Sequence, residues 1–105
     1  MTQASDRIPA EYKIVWLSSA ADDRRRIVRY ITQKSREPRV AVGFMDILLH
    51  KIELLAHGTA QFKEGRIAGT HEYVVHPNYI VVYRTKEKAK EIQILRLWSV
   101  WSQPE

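Results

Sequence analysis

The chain has 105 residues and a formal net charge of +5, and its 45% hydrophobic and 28% charged residues are typical of one globular domain. It contains no cysteine, which excludes disulfide bridges and thiolate metal sites. No apolar run reaches the ~20 residues of a transmembrane helix, and the polar N-terminus lacks the apolar segment of a signal peptide. The sequence therefore predicts a cytoplasmic protein without membrane attachment, whose positive charge favours acidic or polyanionic partners.

The first part of the chain predicts a strand followed by a helix. A flexible lead over residues 1–11 precedes an apolar run at residues 12–17, whose β-branched and aromatic side chains are typical of a strand. Ser19 and Asp22 match the capping box with which many helices begin. A helix is therefore expected over residues 20–35.

A second helix is expected over residues 38–57. Pro38 suits its first turn, because a proline there removes an N–H that would have no partner inside the helix, and Gly58 favours its end. Its apolar stripe follows the helical repeat: Ala41, Phe44, Met45, Leu48, Ile52 and Leu55. The short turn between the two helices predicts an antiparallel hairpin.

The second half of the chain predicts three strands in close succession. They cover residues 67–75, 79–85 and 91–98, separated by a His-Pro-Asn turn and a charged turn. Alternation in the last strand places on one face Ile92, Ile94, Arg96 and Trp98. The predicted order is β-α-α-β-β-β, an α+β domain spanning residues 1–105 in which a helical hairpin packs on a mostly antiparallel four-stranded sheet.

Three spaced motifs follow one another in this second half. They are G-R-x-x-G-T-x-E-x-V-V at residues 65–75, Y-I-V-V-Y-R at residues 79–84 and I-L-R-L at residues 94–97. In this order they resemble the RelE/ParE family, the toxins of type II toxin–antitoxin modules. The likeness extends over nearly the whole domain, and the helix sequences ADDRRRIVRYI and FMDILLHKIELLA resemble the ParE side of the family.

The resemblance implies a small basic toxin that uses no cofactor and is held inactive by a cognate antitoxin, usually a DNA-binding protein. Members of the family divide between two activities on one fold. ParE-like toxins inhibit DNA gyrase and thereby replication, whereas RelE-like toxins cleave mRNA on the ribosome. Fold alone does not separate the two activities.

An mRNA endonuclease would need an acid–base group and cations around the scissile phosphate. The candidate catalytic residues are Arg66, His71, Arg84 and Arg96. The chain departs from the family at two positions, because His71 stands where many members have arginine and Ser99 falls where the nucleases have a terminal histidine. Antitoxin-binding or structural roles remain open for the same residues.

A second set of candidates would bind the target or the antitoxin. It comprises Arg24, Arg25, Arg26 and Arg29 on the first helix, together with Trp98 and Trp101. The arginines form either a surface complementary to acidic groups or a solvated helix face, and the tryptophans form either a patch covered by antitoxin or the edge of the core. No metal site is predicted, because His50 and His57 lie two helical turns apart.

The sequence favours a ParE-like gyrase inhibitor that arrests growth, because its hairpin resembles ParE and the terminal catalytic histidine is missing. The alternative is a RelE-like, ribosome-dependent mRNA endonuclease. A third interpretation is a module that retains only antitoxin binding.

Overall fold

The computed structural model describes residues 12–57 and 63–100, and in this part of the chain the helices and strands follow the predicted order. The elements are β1 (Lys13–Trp16), α1 (Ser18–Ser35), α2 (Pro38–Glu53), a 3₁₀ turn (Leu54–His57), β2 (Lys63–Glu64), β3 (His71–His76), β4 (Tyr79–Lys86) and β5 (Glu91–Ser99). The α+β prediction is confirmed, with the two-residue strand β2 added at one edge. The predicted flexible lead lies outside the described residues, within which no helix is long and apolar enough to cross a membrane.

The strands form one sheet in the order β1-β5-β4-β3-β2. β1 runs parallel to β5 and every other neighbouring pair is antiparallel, so the expected mostly antiparallel sheet is confirmed. The parallel pair is short, because it begins with Lys13 beside Glu91 and ends with Trp16 beside Ile94. β5 continues to Ser99, and no strand of the described chain lies beside its last residues on the side of β1.

The hairpin of α1 and α2 is present, but α1 begins differently from the prediction. It starts at Ser18, without a capping hydrogen bond from the side chain of the residue before it. The predicted capping box of Ser19 and Asp22 is therefore wrong. Both residues already lie inside the helix, where Asp22 pairs with Arg25 one turn later.

α2 begins at Pro38 as predicted and is shorter than expected. The regular helix ends at Glu53 and continues as the 3₁₀ turn, and Gly58 lies outside the described residues. Between the helices, Arg36 has a left-handed φ of 61° and donates its N–H to the Thr32 carbonyl at 2.7 Å. This closing hydrogen bond ends α1 and turns the chain toward α2.

The two helices cover one face of the sheet, called here the helix side. Its core includes Ala20, Ile27, Met45, Leu48 and Ile52 from the helices and Val75, Val81, Tyr83, Ile92, Ile94 and Leu97 from the strands. Along β4 the side chains alternate, so Val81 and Tyr83 face the helices whereas Val82 lies on the opposite side of the sheet. Burying each large apolar side chain contributes ~1.5–3 kcal/mol, which makes this core the main source of stability.

β5 contains a bulge at Leu95 that reverses its alternation. Val82 and Tyr83 follow one another on β4, and they pair with Arg96 and Ile94. Leu95 therefore has no partner on β4 and is the extra residue of β5. Ile94 before the bulge and Leu97 after it both belong to the helix-side core. The prediction that Arg96 and Trp98 share a face with Ile94 is therefore wrong, because the bulge turns them to the opposite side.

The second predicted strand starts later than expected, because residues 65–70 form a tight turn before β3. The Gly65 N–H donates to the Thr70 carbonyl at 2.9 Å. The Thr70 N–H and hydroxyl both donate to the Ile67 carbonyl, at 3.1 and 2.6 Å. Gly69 has a φ of 79°, a left-handed conformation that glycine adopts without a steric penalty.

Candidate functional site

Arg66 is held by a buried carboxylate. Its Nε and Nη2 donate to Glu72 Oε2 at 2.9 Å and to Oε1 at 3.3 Å, and its backbone N–H donates to Oε2 at 3.1 Å. Glu72, on β3, is only 2% exposed, and a buried carboxylate is tolerated only when it is paired and hydrogen-bonded. Arg66 therefore neutralises Glu72 and attaches the 65–70 turn to the sheet.

Asp23 on α1 is the matching carboxylate for Arg96. Arg96 Nε and Nη2 donate to Asp23 Oδ2 at 2.8 Å and to Oδ1 at 3.1 Å, and the Leu97 N–H donates to Oδ2 at 2.9 Å. Arg26 Nη2 adds a hydrogen bond to Oδ1 at 2.7 Å. Burial raises the pKa of Asp23, but the hydrogen bonds from Arg96, Leu97 and Arg26 outweigh burial and hold the pKa below its usual value. The charged carboxylate thus joins α1 to β5.

Trp98 lies between the two paired arginines. The guanidinium carbons of Arg66 and Arg96 are 5.5 and 5.8 Å from the centroid of its ring, within the range of cation–π attraction. Its side chain is packed into the domain and only 5% exposed, so the indole offers little surface to a partner. Trp101, the other tryptophan of the predicted set, lies outside the described residues.

His71 is placed apart from the three arginines. It pairs with Tyr83 across β3 and β4, and the two ring centroids are 5.6 Å apart on the helix side of the sheet. Burial raises the pKa of Tyr83 to about 12, which makes this phenol a poor proton donor at neutral pH. The imidazole therefore faces the core region, and it does not converge with Arg66 and Arg96 on the opposite side.

Arg84 completes the predicted catalytic set and has a neutral partner. Its Nε donates to Gln93 Oε1 at 2.8 Å, and Gln93 Nε2 donates in turn to Glu91 Oε1 at 3.0 Å. Arg84 lies on the side of the sheet opposite the helices, because it follows Tyr83 along β4. No carboxylate neutralises the Arg84 guanidinium directly, so its positive charge is more available to an external partner than the charge of Arg66 or Arg96.

The four arginines of α1 have unequal surroundings. Arg24 lies over the Trp16 ring at 4.6 Å, Arg25 pairs with Asp22, and Arg26 pairs with Asp23. Arg29 is exposed on the same helix. The run is thus partly structural, and its uncompensated charge is concentrated on the outer surface of α1.

A groove of about 590 Å³, called here the α1–β5 groove, runs between α1 and the end of β5. Its lining residues are Asp23, Arg26, Ile27 and Tyr30 on the helix, and Tyr79, Arg96, Leu97, Trp98 and Ser99 on the strands. The helical members recur at spacings of three, four and seven residues, so they form one continuous face. The groove has an apolar floor and a basic rim.

Sequence reasoning missed the two buried carboxylates and the groove. Glu72 lies six residues after Arg66 within the motif at residues 65–75, and this motif is the signal that could have suggested the pair. Asp23 gives no comparable signal, because its partner Arg96 lies 73 residues further along the chain. Among the residues that the structure describes, no group of three histidine, cysteine or acidic side chains could hold a metal ion.

A comparison with protein families decides the assignment. The sequence model of the ParE toxin of the type II toxin–antitoxin system parDE matches residues 14–101. The chain belongs to the ParE toxin family. The expected membership of the RelE/ParE group is thereby confirmed. Among curated proteins, a sequence comparison finds no match.

Solved toxin structures share the fold of this ParE-family chain. A structure of the chromosomal ParDE toxin–antitoxin system from P. aeruginosa has a TM-score of 0.74 at 20% identity, covering 87% of this chain and 98% of that one. The RelBE2 toxin–antitoxin complex from Mycobacterium tuberculosis has a TM-score of 0.57 at 18% identity, covering 84% and 90%. At these identities the likeness establishes the common fold alone.

Proposed function

We propose that this ParE-family toxin inhibits DNA gyrase by binding it, and that a cognate antitoxin neutralises it in the cytoplasm. The family is defined by toxin–antitoxin pairs, and the similar structures come from ParDE and RelBE2 systems, which supports an antitoxin as partner. Inhibition of gyrase would block replication and arrest growth. The toxin would then act as a binding protein and would need no catalytic site of its own.

The observation that carries this proposal is the dispersal of the candidate nuclease residues. RNA cleavage requires an acid–base group and cations within hydrogen-bond reach of one phosphate. Here Arg66 and Arg96 are committed to buried carboxylates, and His71 lies on the other side of the sheet. This arrangement favours a binding role over ribosome-dependent cleavage.

The basic outer surface of α1 supports a protein target. Arg26 and Arg29 are exposed there, and the chain carries a net charge of +5. A surface of this sign accelerates encounter with acidic partners and favours their correct orientation. The same surface would serve complex formation with gyrase without any covalent chemistry.

A supercoiling assay with purified components tests the proposal directly. The toxin in excess is expected to inhibit ATP-dependent supercoiling by gyrase, and purified antitoxin added beforehand is expected to restore it. A parallel assay measures mRNA cleavage on translating ribosomes. Normal supercoiling together with ribosome-dependent cleavage would contradict the proposal and favour the RelE-like activity. Inactivity in both assays, from folded protein that binds antitoxin, would favour a module that retains binding alone.

The variant Arg84→Ala separates the two activities within one protein. Of the three arginines in the predicted catalytic set, Arg84 alone has a neutral hydrogen-bond partner in place of a carboxylate, so a nuclease would depend on it for phosphate binding. We expect this variant to inhibit gyrase within about twofold of the wild-type toxin, since the charge lies on β4, away from the surface of α1. Loss of toxicity with unchanged antitoxin affinity would instead assign Arg84 to catalysis.

A further inference from the structure

The outer surface of α2 carries an exposed stripe that the core does not use. The buried residues of the helix all lie on its opposite face: Ala41, Met45, Leu48 and Ile52. On the outer face, exposed residues recur at alternating spacings of three and four, and they are called here the α2 stripe: Val40, Gly43, Ile47, His50 and, in the 3₁₀ turn, Leu54. This alternation is the a and d repeat of helices that pair side by side.

Gly43 forms a notch in the middle of the α2 stripe. A glycine inside a helix costs about 1 kcal/mol relative to alanine. A Cβ on Gly43 would meet no atom within 4 Å, so packing within the domain does not require a glycine at this position. The neighbouring Ile47 side chain is 56% exposed and protrudes one turn further along the same surface. The α2 stripe thus presents both a large apolar side chain and a notch that can receive one.

The α2 stripe is complementary to itself when two copies of the helix run antiparallel. A two-fold axis then places Ile47 of each copy against Gly43 of the second copy, and Val40 against His50. Every contact occurs twice, as an interface between identical surfaces requires. The notch in one helix is therefore filled by the protruding side chain of the other.

The charges beside the α2 stripe match the same register. Arg39 and Glu53 lie along one flank, and Glu37 and Lys51 lie along the other. Antiparallel pairing brings Arg39 of one copy near Glu53 of the second, and Lys51 near Glu37, and the two-fold axis repeats both pairs. Within residues 12–57 and 63–100, none of these side chains has an ion pair of its own. They are available to a second copy.

A parallel arrangement of two α2 helices matches fewer charges. It would place Arg39 beside Phe44 of the second copy and would pair only Asp46 with Lys51. It would also align the two helix dipoles, whereas antiparallel helices oppose them favourably. In the antiparallel arrangement Asp46 lies near the two-fold axis and approaches its own copy, and this contact between like charges is unfavourable. The balance of charges favours the antiparallel pair.

We propose that the toxin self-associates as a two-fold dimer through the α2 stripe, with a second copy of this chain as the partner. The 16 residues of α2 extend over about 24 Å. One pair of helix faces of this length buries less than about 1,200 Å², which is typical of weak association, so the dimer is expected to form at micromolar concentrations. At lower concentrations the α2 stripe is open to solvent. This self-association is independent of the proposed inhibition of gyrase.

Sedimentation equilibrium of the full chain between about 1 and 300 µM tests the dimer. The substitution Ile47→Arg is expected to raise the dimer Kd about tenfold or more, because it buries a charge against Gly43 of the second copy. Val42→Arg is the matched control, since Val42 is 54% exposed on the same helix, gains the same charge and lies outside the α2 stripe. The control is expected to dimerise within about twofold of wild type. Thermal unfolding verifies that both variants are folded.

Charge substitutions test the antiparallel register. Arg39→Glu and Glu53→Arg are each expected to raise the dimer Kd about fivefold, because each variant alone sets like charges opposite one another. An equimolar mixture of the two variants is expected to dimerise within about threefold of wild type, since every pair then joins opposite charges. Asp46→Asn is expected to lower the Kd about twofold by removing the repulsion at the two-fold axis. A higher Kd in Asp46→Asn would indicate parallel helices and overturn the proposed dimer.

The outcomes separate self-association from the other partners. A toxin that stays monomeric up to about 300 µM would overturn the inference, as would equal Kd values for Ile47→Arg and Val42→Arg. If Ile47→Arg weakens binding of antitoxin or gyrase and leaves self-association unchanged, the α2 stripe belongs to that partner and the inference fails. A dimer that responds as expected, from a toxin that leaves supercoiling unaffected, would support the inference and contradict the gyrase proposal alone.

Discussion

Asp23 accepts a hydrogen bond from the backbone N–H of Leu97 at 2.9 Å, and the two residues are 74 positions apart in the chain. The bond forms at the part of β5 that β1 does not reach. An unpaired strand edge is prone to pair with other chains, and a charged side chain that occupies it limits such pairing. Asp23 therefore provides a hydrogen-bond acceptor for this part of the β5 edge, whereas β1 provides the acceptors for the first part of β5.

Replacing Asp23 is expected to destabilise the fold strongly. In Asp23→Ala, Arg96 and the buried Leu97 N–H lose their partner, so the free energy of unfolding should fall by about 2–4 kcal/mol. Urea denaturation measures the change. Asp22→Ala is the matched control, because its ion pair with Arg25 is exposed and should be worth less than about 1 kcal/mol. Equal effects of the two substitutions would show that Asp23 does not join α1 to β5.

Acidic pH should remove the contribution of Asp23 to the free energy of unfolding. Its pKa lies below the ordinary value of 3.8, so the folded state takes up this proton less readily than the unfolded state. The stabilisation is therefore complete above about pH 4 and is lost as the pH falls through the lowered pKa. Unfolding measured between about pH 2 and pH 6 should show the difference between wild type and Asp23→Asn shrinking toward acid. A difference independent of pH would contradict this linkage.

Alkaline pH should lower the free energy of unfolding through ionisation of Tyr83. Its pKa of about 12 in the fold exceeds the ordinary value of 10.0, so the neutral phenol contributes stability that is fully present below pH 10 and lost as the pH rises toward 12. Tyr83→Phe removes this dependence, and its unfolding free energy relative to wild type should rise with pH across that interval. Tyr73→Phe serves as a control, because Tyr73 is only partly buried on β3. A parallel rise in both variants would exclude Tyr83 as its source.

Two glycines should respond in opposite directions to alanine. A Cβ on Gly65 would overlap Thr70 Oγ1 and lie 3.1 Å from its carbonyl carbon and oxygen, so Gly65→Ala should cost about 1–3 kcal/mol. Gly43 lies within α2 and its Cβ would meet no atom within 4 Å, so Gly43→Ala should add about 0.5–1 kcal/mol through helix propensity. Thermal unfolding of the two variants and the wild type measures both changes in stability. Destabilisation by Gly43→Ala would mean that this face of α2 is covered.

The order of elements was predictable because each apolar run has a period that belongs to one kind of element. Pro38 also marked the start of α2 correctly. The misplaced features depend on contacts between distant residues. Leu95 becomes a bulge only through its register with β4, and Asp23 becomes a buried ligand of Arg96 only when α1 lies across β5. The roles of the candidate arginines therefore stay predictions, and the carboxylates that neutralise two of them, Glu72 and Asp23, were not predicted.

The pairing of β1 with β5 also bears on when the toxin becomes functional. Lys13 pairs with Glu91, so β1 and the helical hairpin leave the ribosome well before the strand that completes the sheet. Contacts this distant in sequence form late, because the intervening chain must first be ordered. The α1–β5 groove consequently does not exist on the nascent chain. The groove and the ion pair between Asp23 and Arg96 can therefore form only after β5 has left the exit tunnel.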